Sequence, residues 1–327
     1  MFTDTEILAL HPQTIRLPSN DGHLIFVRLW RPHQTEIKGA IKIAHGMAEH
    51  SGRYSDLALY LVQAGYAVIA HDHRGHGQSA SQGLVGHYGD QNGWELVIND
   101  MTAVAAFART EFPGAPLFEL GHSMGSFILQ QYLIREQPRI AGVILSGSSY
   151  AHPLKYLAAR SIARFECKRQ GKHDRSRLIR HLSFGSFNNR FKPARTQFDW
   201  LSSEPEQVDA YLNDPLCGFD CTNQLWVDLL GGLTDISRPE ALRRLPNVPI
   251  FILGGALDPV GQEGEGLKRL AKMLTSTGHD QVELKLYPEG RHEMFNEKNR
   301  MEVFRDLCHW LQQQQASTKE FSSVHSA

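Results

Sequence analysis

The chain has 327 residues, 41% of them apolar and 21% charged, with a formal net charge of -1. This length can bury one large core or two modest ones. The near-neutral balance argues against nucleic acid as the main partner, because that role calls for a net basic surface.

The chain opens MFTDTEILALHPQT, with acidic residues where a signal peptide is basic and an apolar run too short for one. No later apolar stretch reaches the roughly 18 residues that span a bilayer, so a cytoplasmic protein is expected. Two alternating stretches follow, TIRLP near residue 15 and HLIFVRLWRP from His23 to Pro32. Asn20-Asp21-Gly22 between them predicts an antiparallel hairpin.

The rhythm then changes. GAIKIAHG, AVIAHDHRG, PLFELGHS, AGVILSGS, VPIFILGG and VELKLYPEG are short strand-like runs, most of them ending near glycine. Helical patterns intervene over residues 53–64, 93–111, 124–136, 236–245, 263–274 and 296–314. Such alternation predicts an α/β domain with a mostly parallel sheet and antiparallel strands at the front. Between residues 150 and 235 no strand pattern appears, and helical patterns run consecutively as if inserted. The expected organisation is core over 1–149, helical cap over 150–235, core again over 236–316 and a polar tail over 317–327. Residues 151 to 200 hold 12 Lys and Arg against 3 Asp and Glu, so the first part of the cap is basic while the remainder of the chain is acidic. Among the four cysteines only Cys217 and Cys221 are near one another, a spacing that matches no zinc site. Unpaired thiols of a reducing compartment are expected.

The decisive stretch is Gly121-His122-Ser123-Met124-Gly125. G-x-S-x-G between a buried strand and a helix is the pattern of a sharp turn that presents a serine hydroxyl above the sheet edge. A plain strand-to-helix turn with an incidental serine is the alternative. A serine hydroxyl attacks a carbonyl near neutral pH only if a base takes its proton and a carboxylate orients that base. Asp258 lies in the loop after VPIFIL, and His292 in the loop after VELKLY. The order Ser123, Asp258, His292 is the one expected of this arrangement. His279 precedes its strand and His309 lies in the last helix, so both are weaker candidates. Glu289 and Glu293 flank His292 too closely to reach its far ring nitrogen easily. Backbone N–H groups of Met124 and of Met47, after His45-Gly46, are the expected donors to a developing oxyanion. His45 is expected to brace its loop, Glu49, His50 and Arg53 to support the following helix start, and Asp72 and Arg74 to act as polar struts within HDHRGHGQS.

HGMAEHSGRYSDLALYLVQAGYAVIAHDHRGHGQS, with GHSMGS, GALDPV and GRHEMF, resembles the α/β-hydrolase group that contains monoacylglycerol lipases and bacterial lysophospholipases. The resemblance runs nearly the length of the sheet domain. It implies an α/β-hydrolase fold with Ser123, Asp258 and His292 as catalytic residues, oxyanion donors at Met47 and Met124, and no metal or organic cofactor. Two features depart from it. Many monoacylglycerol lipases carry a small residue where Met47 stands, and the cap here is longer and more basic, while LNDPLCGF is closer to bacterial members.

The expected function is hydrolysis of single-chain lipid esters, monoacylglycerol or lysophospholipid, through an acyl-serine. Cap residues Phe184, Phe187, Phe191, Phe198, Trp200, Leu212, Leu216, Leu225 and Trp226 are candidates either for an acyl groove or for packing the cap onto the sheet. The basic cap is either a solvated face or a contact for anionic headgroups and membrane. An aminopeptidase-like peptidase, or a non-catalytic binding module on the same fold, are the alternatives. Dehalogenase and epoxide hydrolase chemistry would need a carboxylate in place of Ser123.

Overall fold

A computed structural model of the chain describes residues 11–34 and 36–324. The first ten residues, on which the argument against a signal peptide rests, and the last three of the expected tail lie outside the described residues.

Eight strands form one sheet: β1 (Gln13–Pro18), β2 (Leu24–Trp30), β3 (Gly39–Ala44), β4 (Tyr66–His71), β5 (Leu117–His122), β6 (Gly142–Ser146), β7 (Ile250–Gly255) and β8 (Val282–Tyr287). Their order is β1-β2-β4-β3-β5-β6-β7-β8. The pairs β1–β2 and β2–β4 are antiparallel and the rest parallel, which is the mixed sheet the sequence predicts. The first turn closes where Gly22 adopts φ +84°, with its N–H donating to Ser19 O at 3.0 Å.

Helices cover both faces, which is why β3 through β7 are buried along their length. On one face α2 (Gly93–Glu111), α3 (Met124–Glu136) and α7 (Asn223–Ile236) pack against Ala40, Ala44, Val143 and Leu145. On the other, α1 (Ser55–Gln63) and α10 (Arg300–Val324) cover Ile41, Ile43, Phe118 and Leu120. Successive residues of one strand serve opposite faces, the period-two rule at work. Lys42 is the polar exception within β3. Its ammonium lies 3.2 Å from Glu119 on β5 and donates to Met101 O at 3.2 Å.

Between β6 and β7 the chain runs through α4 (Pro153–Gln170), α5 (Arg177–Phe184), a 3-10 turn at Phe187–Phe191, α6 (Pro205–Asn213), α7 and α8 (Pro239–Leu242). The helix expected over 236–245 is different here: α7 stops at Ile236 and a separate short helix starts at Pro239. Proline lacks the N–H that would continue α7, yet its fixed φ suits a first helical position. After β7 comes α9 (Glu265–Ser276), and the backbone of α10 continues to Val324, well past 314. QQQQASTKEFSSV contains no glycine or proline to stop it.

Candidate active site

The site lies at the carboxyl ends of the central strands. Ser123 links β5 to α3 at φ +50°, ψ -121°, a strained conformation for any residue other than glycine. Its N–H donates to Ser146 O on β6 at 2.9 Å, and its carbonyl accepts from Ser126 N at 2.9 Å. The flanking glycines allow the turn to sit this tightly. A Cβ at residue 121 would stand 2.7 Å from Gly125 O, and one at residue 125 would stand 2.2 Å from Ala44 O.

Asp258 follows β7 and is fully buried. One of its oxygens accepts from Val260 N at 2.8 Å and the other faces His292 Nδ1 at 3.0 Å. His292, after β8, is buried as well. With Nδ1 committed to Asp258, Nε2 is the ring nitrogen left to face a substrate. Burial opposes charging the ring. The Asp258 carboxylate and its hydrogen bond, aided by Glu293 and Glu49, outweigh that and raise His292 above its ordinary value. Among the described residues no hydrogen bond joins Ser123 Oγ to the ring, and such pairs align fully in the complex with substrate.

Neither Met47 N nor Met124 N is spoken for by a hydrogen bond among the described residues. Both residues line the same cavity as Ser123 and His292. The loop carrying Met47 is braced from behind. Gly46 N–H donates to Glu49 Oε1 at 2.5 Å. His45 Nε2 accepts from His73 N at 2.9 Å, while His45 Nδ1 lies 2.7 Å from Gly46 O. His45 therefore has the bracing place that was expected of it. Asp72 accepts from Ser51 N at 2.9 Å and Gln78 N at 2.7 Å. Arg74 reaches beyond its own turn to Asp100 at 2.7 Å and Asp21 at 2.9 Å.

The cavity is about 740 Å³, within the range of small-molecule sites. Of the cap residues considered from sequence, Phe184, Phe187, Phe198, Trp200 and Trp226 line it. The others do not. Leu225 is in the core, Leu212 is exposed, and the Phe191 ring lies 4.2 Å beneath the Arg291 guanidinium. Trp200 also backs the imidazole of His292, with ring centroids 5.2 Å apart.

Residues 35–299 match the family model Hydrolase_4, described as serine aminopeptidase, S33. The chain belongs to that family. It is similar to the monoglyceride lipase of Homo sapiens, 29% identical over 312 residues that cover 92% of this chain and 91% of the relative. It is also similar to the monoacylglycerol lipase of Mycolicibacterium smegmatis, 29% identical over 89% of this chain and 93% of the relative. A thermostable carboxyl esterase from Bacillus coagulans, solved in complex with glycerol, superposes with a TM-score of 0.86 at 28% identity, covering 93% of this chain and 98% of that one. The fold is thus the α/β-hydrolase fold, as the motifs led one to expect.

One feature of this Hydrolase_4 site was not legible as a unit. Arg53, buried, pairs with Glu49 at 3.3 Å and more closely with Glu293, beside His292. The Tyr54 hydroxyl donates to Glu49 at 2.8 Å and Asn296 Nδ2 to Glu293 at 3.1 Å. Burial, and then the Glu293 charge, push Glu49 up to about 7 against the pull of Arg53. The spacing of Glu49 and Arg53 is visible in sequence. Glu293 lies 240 positions from Arg53, and no local pattern links them.

Proposed function

We propose that the chain is a serine carboxylic-ester hydrolase that cleaves single-chain lipid esters, with Ser123 as nucleophile, His292 as base and Asp258 as its orienting carboxylate. One observation carries this reading: a buried Asp258–His292 pair opens onto the same largely apolar cavity as a serine held at positive φ. His292 Nε2 takes the hydroxyl proton as Ser123 Oγ attacks the ester carbon. Met47 N–H and Met124 N–H receive the oxyanion. The proton then passes to the departing glycerol oxygen, and His292 activates water to release the fatty acid.

The cavity favours lipid esters over peptides with a free amino terminus, despite the name of the family. Holding an ammonium needs an available carboxylate. The lining carboxylates Glu49 and Glu293 are tied to Arg53, and Asp220 faces Arg180 at 3.4 Å. Lys155, Arg177 and Arg180 line the same space and repel an ammonium, whereas they suit the phosphate of a lysophospholipid.

Peripheral contact with an anionic membrane through the cap belongs to the same proposal. Leu154, Leu157, Ile162 and Phe165 on α4, with Leu178 and Leu182 on α5, are exposed large apolar side chains. Basic residues such as Lys155, Arg164, Lys168 and Arg177 are interleaved with them. Each basic residue near an anionic surface contributes about 1 kcal/mol. Among the described residues no helix is long and apolar enough to cross a membrane.

The test is Ser123→Ala. Turnover of p-nitrophenyl esters, monoacylglycerols and lysophosphatidyl lipids should fall by roughly 10⁴-fold or more, fluorophosphonate labelling should vanish, and the circular dichroism spectrum should be unchanged. A folded Ser123→Ala protein that still turns over these esters sinks the reading. Binding to anionic vesicles should weaken as salt rises. Equal binding to neutral and anionic vesicles refutes the membrane part alone.

A further inference from the structure

Away from the cavity, one cluster of side chains has the donors of a transition-metal site. We infer that His87, Asp90 and His173 bind a divalent transition metal of the zinc type and thereby fasten the cap to the core. This does not depend on the ester-hydrolase reading. His87 and Asp90 stand in the core loop before α2, and His173 in the cap loop between α4 and α5. One ligand atom from each lies within 4.8 Å of the others. His173 Nε2 is 2.5 Å, and His87 Nε2 3.3 Å, from the same oxygen of Asp90. Two imidazoles and one carboxylate, with water in the fourth position, are donors suited to Zn²⁺ at about 2.0–2.2 Å. They are too few and too nitrogen-rich for Ca²⁺ or Mg²⁺.

Two further observations set this cluster apart from a chance surface group. His87 Nδ1 lies 3.0 Å from Thr222 Oγ1, a hydroxyl able to accept its proton and leave the Nε2 lone pair aimed at the site. Fixing a ring through its other nitrogen in this way is what orients metal-ligating histidines. Main-chain hydrogen bonds also hold the frame. Thr222 N donates to Gly86 O at 2.8 Å, Asn223 N to Asp174 O at 2.8 Å and Gln224 N to Lys172 O at 3.0 Å. The N-terminus of α7 thus holds both ligand loops.

A second grouping, His50, Asp214 and Cys217, lacks this preparation. His50 Nδ1 accepts from Gly52 N–H at 3.1 Å, so the neutral ring carries its proton on Nε2, which faces Asp214. No lone pair is then free for a cation. At the proposed site the competing group is Lys172, whose ammonium stands 3.2 Å from the Asp90 oxygen. It is half-exposed and must swing out when the metal enters.

The experiment titrates tag-free, chelator-treated full-length protein with ZnCl₂ against a chromophoric zinc indicator. Wild type should bind one equivalent. His87→Ala and His173→Ala should each weaken binding at least tenfold, and Lys172→Gln should tighten it. Zinc should raise the melting temperature of wild type, but not of the double histidine variant, and should slow proteolysis within 150–235. Zinc binding unchanged in the double variant overturns the proposal, as does no wild-type binding below millimolar zinc. Weaker binding by folded Lys172→Gln also counts against it. Binding at these residues with no protection of the cap refutes the fastening role.

Discussion

Gly125→Ala tests the geometry of the nucleophile turn without touching a reacting group. The new Cβ would stand 2.2 Å from Ala44 O and 2.4 Å from His45 O, both main-chain atoms. No flexible side chain can yield, so the turn and the β3 loop must separate by about 0.8 Å merely to reach 3.0 Å. That movement pulls Met124 N–H away from Met47 N–H, the two proposed donors to the oxyanion. A misplacement of about 1 Å costs on the order of 10² in rate, and loss of one oxyanion donor about 10²–10³. We expect kcat/KM for p-nitrophenyl butyrate to fall at least about 100-fold, carried mainly by kcat. Overpacking of this kind costs about 1–3 kcal/mol of stability, which a thermal melt should register as a lower Tm with a single transition. Gly83→Ala is the control, since nothing lies within 4 Å of a Cβ there and φ is -161°. A folded Gly125→Ala enzyme within threefold of wild-type kcat/KM would refute the reasoning.

Asp258→Asn removes the carboxylate that raises His292. A base must be neutral to act, so wild-type activity should rise with pH through the raised His292 value. In the variant that inflection should move to lower pH, and the plateau should drop by about 10⁴-fold. A pH-rate profile checks both, and an unmoved inflection counts against His292 as the base. Acid stability should fail early. Burial pushes His71 down to about 3 and His76 down to about 4. The unfolded chain binds protons near 6.5, so stability is complete above that value and declines as pH falls toward the folded values. For His76 the displacement corresponds to roughly 3 kcal/mol. Denaturant melts at pH 7 and pH 5 should show the loss, and equal midpoints would contradict it.

The sequence determined more of this protein than its fold class. The hairpin about Gly22, the strands before each loop, and helices α2 and α3 are all local. Hydrophobic period, turn residues and glycine placement are properties of contiguous residues, so they can be read directly. Ser123, Asp258 and His292 could likewise be placed from pattern, because each follows a strand of the parallel part of the sheet, buried for β5 and β7 and a partly exposed edge strand for β8. The break between α7 and α8 was partly legible, since Pro239 marks it, but the start of α7 at Asn223 was masked by the continuous helical pattern of the cap.

Only the tertiary structure decided what meets across the site. Arg53 between Glu49 and Glu293, Trp200 behind His292, and five of the cap aromatics facing the cavity depend on how the cap docks. Polarity and period say that a side chain is buried, but not which partner it is buried against. The same holds for His87 and His173, which look unrelated along the chain and meet because α7 ties their loops together. Pairing across such separations is set by packing of the whole chain, and packing leaves no local trace.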